Sequence, residues 1–238
     1  MNLLIYSPRI EASMPILRNT LTVIIKRYKS LSLPLPQEFC RLAVLNPPRD
    51  AVELLMGGFG SSFVRLWGGW VPEFLRGIMV MEPSATIDCY DSIERLRRSV
   101  DLGVDIARLV IRYRLSGRVD YDTWLGLFRR EVGVISLTLP DQSAVVVDDY
   151  VQFIKNAARY DNLILLGPLM PTPPLDLMVL ISIGELSTDY LIGAVNYVIT
   201  YIGDYVVMSR DLTEAFIRLI NDRGYVNFIK STGLPLIT

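Results

Sequence analysis

Short β-branched or leucine-rich runs alternate along this chain with stretches whose apolar residues recur at helical spacing. That alternation is the mark of a parallel sheet whose strands are joined by crossover helices, and it restricts the chain to the α/β class. Strand patterns are expected at residues 2–7, 41–45, 63–67, 77–81, 134–139, 163–166, 177–183, 205–208 and 226–229. Helical patterns are expected at 13–29, 50–56, 91–115, 121–131, 145–159, 188–202 and 212–222, with Ser13 as an N-cap and Pro15 in a first turn. Segments 163–166 and 177–183 are apolar without interruption, so both are expected to be central strands.

The two helices at 91–131 interrupt the alternation. The expected fold is thus a mainly parallel, Rossmann-like layered sheet with a helical insert around residues 91–131. The chain reads as a single domain, 1–238, with that insert as a subdomain. The stretch from Pro168 to Pro174 reads as a stiff loop inside the domain, and there is no internal repeat.

Composition then narrows the chemistry. The 238 residues include no histidine, which removes the usual general base and nitrogen ligand. Ser-His-Asp and Cys-His nucleophiles and His-ligated metal sites are excluded from this chain alone. What remains is chemistry by carboxylates, arginines, hydroxyls and backbone amides. No catalytic residue, metal ligand or cofactor is assigned.

Twenty arginines stand against four lysines, a bias that suits a thermophilic source. Cys40 and Cys89 form no CxxC pair and read as small buried hydrophobes, with a disulfide between them open in a hyperthermophile. A mean hydropathy of +0.34 with 21% charged residues points to an oligomer or complex subunit. The first residues lack a basic segment and a long apolar run, and the apolar stretch 190–203, at 14 residues, falls short of the ~20 a membrane span needs. A cytoplasmic protein outside the membrane is expected.

Two glycine motifs invite a phosphate-binding reading. Gly57-Gly58-Phe59-Gly60 follows a helical pattern and precedes a strand pattern, the reverse of a phosphate loop, and reads as a helix C-cap and turn. Gly184-Glu185-Leu186-Ser187-Thr188 follows an apolar run and opens a helix, where free N–H groups and two hydroxyls could meet an anion. Ser187 or Thr188 could equally be a simple N-cap there.

Open parallel sheets bind ligands beyond the carboxyl ends of their strands. The candidate binding set at those ends is Arg9, Asp141, Gln142, Gly184, Glu185, Ser187, Thr188, Arg210 and Asp211. Arg9 and Arg210 suit an anion, and Asp141, Glu185 and Asp211 could act as acid or base. Taken singly, Asp141 and Asp211 also read as turn and capping residues. The function expected from this set is binding of a small anionic metabolite or nucleotide.

The insert offers a second reading. From Arg95 to Arg130 nine arginines face four aspartates, a net charge of +5 within a chain of net −1. Arg97, Asp101 and Asp105 are spaced as a solvated ion-pair ladder. Alternatively the chain is a noncatalytic subunit of a protein or nucleoprotein assembly, with Arg98, Arg112, Arg114 and Arg118 contacting nucleic-acid phosphates.

Overall fold

The computed structural model describes residues 2–46, 50, 63–135, 138–141, 143–167 and 171–234. Its contacts divide the chain into two compact units, one of residues 1–97 with 137–167 and one of residues 98–136 with 168–238. The 97/98 boundary falls within a single helix.

The first unit holds a five-stranded, all-parallel sheet: β1 (Leu3–Tyr6), β2 (Ser30–Pro36), β3 (Thr86–Asp91), β4 (Ala144–Val147) and β5 (Asn162–Leu165), in the order β3-β2-β4-β1-β5. This is the mainly parallel α/β fold expected from the alternation, with β4 lodged between β2 and β1. Both faces are covered. Leu3 and Ile5 of β1 and Ala144 and Val146 of β4 join a core built with helices α1 (Ser13–Tyr28), α2 (Gln37–Leu45) and α3 (Val71–Met81). On the opposite face Tyr6 packs against Tyr150 and Phe153 of α6 (Tyr150–Asn156). The period-2 alternation of side chains thus feeds two helical layers from one strand.

Several segments differ from expectation for identifiable reasons. β2 is the alternating run Ser-Leu-Ser-Leu-Pro-Leu-Pro, whose Leu31, Leu33 and Leu35 are fully buried. Pro34 argues against an interior strand, and the chain accommodates it at a register shift between Leu33 and Pro36. Residues 41–45 and 77–81, expected as strands, complete α2 and α3, and 63–67 enter a π-helical turn, Val64–Gly68. The strand expected at 134–139 gives way to α5 (Tyr121–Ile135), and the helix expected at 145–159 starts instead as strand β4. β5 is an edge strand rather than a central one, with Leu163 and Leu165 exposed on one face. The helix expected at 50–56 and the 57–60 glycine motif lie outside the described residues, apart from Asp50. Cys40 of α2 and Cys89 of β3 are joined in a disulfide.

The second unit contains no strand among the described residues. It consists of α4 (Ile93–Ser116, from Arg98 on), α5, α7 (Pro174–Ser182), α8 (Leu191–Thr200), α9 (Leu212–Asn221) and α10 (Arg223–Thr232). Segment 177–183, expected as a central strand, is α7: its Leu and Met residues favour helix, Pro174 starts it and Asp176 sits in its first turn. Uninterrupted apolarity carries no period, so sequence could not separate a buried strand from a buried helix there. Residues 205–208 and 226–229, also expected as strands, fall in the π-helical turn Tyr201–Val206 with its exit and in α10. The core is Trp124 and Phe128 of α5, Leu177 and Leu180 of α7, Val195 and Val198 of α8, and Phe216 and Tyr225 of the last two helices.

Candidate functional site

Of the candidate set, Arg9 alone lies at the carboxyl edge of the sheet, just past β1. Asp141 is exposed and precedes β4, and Leu3 donates to the Ser143 carbonyl at 2.9 Å, so Asp141 belongs to the amino edge. Asp141 was expected to follow a strand at 134–139, whereas the strand here, β4, comes after it. Gln142 lies outside the described residues.

Gly184 and Glu185 terminate α7. Gly184 has φ of +79°, and the N–H groups of Glu185 and Leu186 return to the Leu180 carbonyl. This is a helix C-cap, the electronegative end, and the opposite of the N-terminal anion site expected there. Ser187 caps a short turn by accepting from Asp189 N–H at 3.2 Å, and Thr188 is exposed in that turn. Arg210 donates Nε to Glu214 at 3.1 Å, and Asp211 N-caps α9 by accepting from Glu214 N–H at 2.8 Å. These residues fill capping and pairing roles in a unit with no described sheet edge.

The real carboxyl edge carries a different cluster. Arg9 grips Asp148 in a bidentate pair, Nε to Oδ2 at 2.6 Å and Nη2 to Oδ1 at 3.0 Å. Arg95 reaches Asp91 at 3.2 Å and Asp149 at 3.8 Å. Tyr90 donates its hydroxyl to the Val146 carbonyl at 2.6 Å. Asp148 holds the Arg9 guanidinium still further above its ordinary pKa, while burial raises the carboxyl of Asp149 and pushes the Tyr90 hydroxyl well up. Sequence reasoning missed Asp91, Asp148, Asp149 and Arg95 because β3 and the end of β4 were not recognised. An aspartate pair directly after a four-residue β-branched and alanine run was the available signal.

Connections from the neighbouring strands β1 and β4 leave to opposite faces through α1 and α6, so the crevice of this sheet lies between their carboxyl ends. The Arg9–Asp148 pair bridges that crevice. Beside it the hydroxyls of Ser7 and Ser13 are fully buried and have no hydrogen-bond partner among the described residues. Gly167, with φ of +114°, brings the loop after β5 close: a Cβ there would stand 3.0 Å from Ser13 Oγ. Ser13 and Met14 N–H groups already bond to the Ile10 and Glu11 carbonyls, so α1 offers few free amides.

A space large enough for a small ligand in this unit lies along α1 and α3, in an open groove of about 710 Å³. Both helices run away from the carboxyl edge, since each leads to the start of the next strand, and the groove begins at their first turns. Met14, Leu66, Trp70, Phe74 and Met81 give it apolar walls. Arg18 is tied to Glu73 at 2.9 Å, whereas Arg65 is exposed in the groove with no carboxylate partner among the described residues. Gly77 keeps it open: a Cβ there would meet only Met81 Cε, at 3.9 Å.

In the second unit Arg112 and Arg118 line a concavity of about 410 Å³ with Ser116, Asp120 and Trp124. Arg114 instead pairs with Asp204 and lies against Gly203, and Arg98 is exposed. Hydrogen bonds from Thr123 hold the Asp120 carboxyl below its ordinary pKa. Among the described residues no group of three Cys, Asp or Glu side chains could hold a metal ion, and no helix is long and apolar enough to cross a membrane. No protein-family model, curated protein or solved structure matches the chain.

Proposed function

We propose that the sheet-bearing unit binds a small anionic metabolite or nucleotide with an apolar body, seated in the groove between α1 and α3 at its carboxyl-edge end. The observation that carries this reading is the groove itself: a volume within the ~300–1,000 Å³ of small-ligand pockets, apolar walls, and a guanidinium at Arg65 with no carboxylate partner among the described residues. Arg65 would meet the anion and the Trp70 and Phe74 wall the apolar body. Arg9, locked to Asp148 through Nε and one Nη2 hydrogen, keeps its other N–H groups for a longer ligand. A cytoplasmic setting belongs to this reading. The disulfide then joins the arginine bias in favouring a hyperthermophilic source, where intracellular disulfides occur.

The test uses anilinonaphthalenesulfonate, an apolar anion whose fluorescence reports binding, with mononucleotides and medium-chain carboxylates as competitors. Arg65→Ala is expected to weaken binding about 10- to 150-fold, the loss of a charged hydrogen bond of ~1.5–3 kcal/mol. Gly77→Leu should fill the groove and abolish binding while leaving the fold as stable or more so, because glycine disfavours helix by ~1 kcal/mol. Binding unchanged by Gly77→Leu would reject the groove.

A second reading, a noncatalytic subunit of a larger assembly, is favoured by a row of exposed apolar residues on α4.

A further inference from the structure

Helix α4 is 24 residues long, yet only Ile106 and Val110 along it are buried. On the side turned away from them Val100, Val104, Ile111 and Leu115 are 56%, 45%, 58% and 85% exposed. At 3.6 residues per turn these four, with Ala107, fall in one stripe about 80° wide and about 22 Å long. Single exposed apolar residues are ordinary, but a continuous row on one helix face marks an interaction surface.

The charges beside the stripe say what covers it. Along one flank Asp101, Asp105, Arg108 and Arg112 follow at i, i+4, i+7 and i+11, so the first half of the flank is acidic and the second basic. Such a flank repels a parallel copy of itself and complements an antiparallel one. Within the helix Arg108 and Asp105 already meet at 2.8 Å, both solvent-exposed and free to add a partner across an interface. Arg97 and Arg98 lie beyond the end of the stripe.

We propose that α4 docks against α4 of a second copy of this chain, antiparallel about a twofold axis near Ala107. Val100 then lies near Leu115 of the partner subunit and Val104 near Ile111 of the partner subunit. Asp101 faces Arg112 of the partner subunit, and Asp105 faces Arg108 of the partner subunit. The same patch serves both subunits, as a closed twofold contact requires. This inference rests on the assembly reading and is independent of the α1–α3 groove.

Sedimentation of the full chain from micromolar to about 1 mM is the direct test, since a contact weaker than that has no place in a stable assembly. The expected species is a dimer of twice the 26.9 kDa chain mass. Ile111→Asp should raise its dissociation constant at least about tenfold, as loss of a central apolar anchor does. Asp101→Arg with Asp105→Arg makes the flank uniformly basic and should dissociate the dimer. Adding Arg108→Asp with Arg112→Asp reverses the flank end for end and should restore it. Ala107→Cys should cross-link to itself under mild oxidation, because Cys40 and Cys89 are already paired. A monomer throughout overturns the proposal, as does a dimer indifferent to Ile111→Asp. Equally fatal is a monomer that binds duplex DNA with a log-log salt slope near −0.9 per phosphate, which would assign Arg98, Arg112 and Arg118 to nucleic acid instead.

Discussion

Arginine is used in two ways in this protein, seen most plainly at the carboxyl edge of the sheet-bearing unit and around α4 of the helical unit. In the sheet-bearing unit Arg9 and Arg95 are interlocked with Asp148, Asp91 and Asp149 at the carboxyl edge, and a disulfide ties a helix to an outer strand. In the helical unit Arg98, Arg112 and Arg118 are exposed with no carboxylate within salt-bridge distance among the described residues, and the apolar row on α4 stands open beside them. The same side chain therefore means different things in the two settings: paired and half-buried guanidiniums hold a fold together, whereas free ones leave a surface able to accept a partner.

The largest effect expected from this contrast is on the disulfide. It closes a loop of 49 residues, for which chain entropy gives about 4 kcal/mol of stabilisation. Cys40→Ser with Cys89→Ser, or reduction of the native protein, should lower stability by most of that amount. Native-state hydrogen exchange should localise the loss to the β2–β3 region and α2, with the α7–α8 amides protected as before. Equal loss of protection in both units would show that they unfold as one, and the contrast would fail.

A smaller effect of opposite sign is expected at the buried hydroxyls. Each of Ser7 and Ser13 keeps an oxygen out of water with no partner among the described residues, which costs about 1–3 kcal/mol. Ser7→Ala and Ser13→Ala should thus raise the melting temperature of the ligand-free protein. If either change lowers it, the hydroxyl has a partner in solution, and the edge beside Arg9 is packed differently from the structure.

How much of this was legible in the sequence follows from which patterns carry a period. β1 and α1 were readable because a short apolar run passes into an amphipathic stretch bearing Pro15, and α4, α5 and α9 because their apolar residues recur at helical spacing. β2 was hidden by Pro34 and Pro36, although its leucines alternate without a break. The uniformly apolar 177–183 gave no period at all, and assigning it to a strand moved Gly184, Glu185, Ser187 and Thr188 to a sheet edge that the described residues of the second unit do not form. Misreading one helix as a strand therefore misplaced nearly half of the candidate site. Arg9 was found correctly as an edge residue because β1 was.

The smallest effect tests whether exposed arginines in the helical unit stabilise it at all. Glu214 accepts from the Arg210 backbone N–H and from the Arg218 and Arg210 side chains, which lowers its carboxyl to about 2 from an ordinary 4.5. A carboxyl depressed in the folded state contributes stability that is complete above its unfolded value and is lost as pH falls through the folded one. The contribution of Glu214 should accordingly fade between pH 4.5 and about 2. Because the carboxylate and both guanidiniums are in contact with water, the effect is weakened by salt. Glu214→Gln should make the acid limb of the stability curve shallower at low ionic strength and leave it unchanged at about 1 M salt, where the Debye length shrinks to about 3 Å. Asp149 responds in the other direction: burial raises its carboxyl, so its contribution grows as pH falls through that raised value toward the ordinary carboxylate range, and Asp149→Asn should remove the gain. Parallel pH curves for the two variants would mean that the ion pairs of the two units do not differ as described.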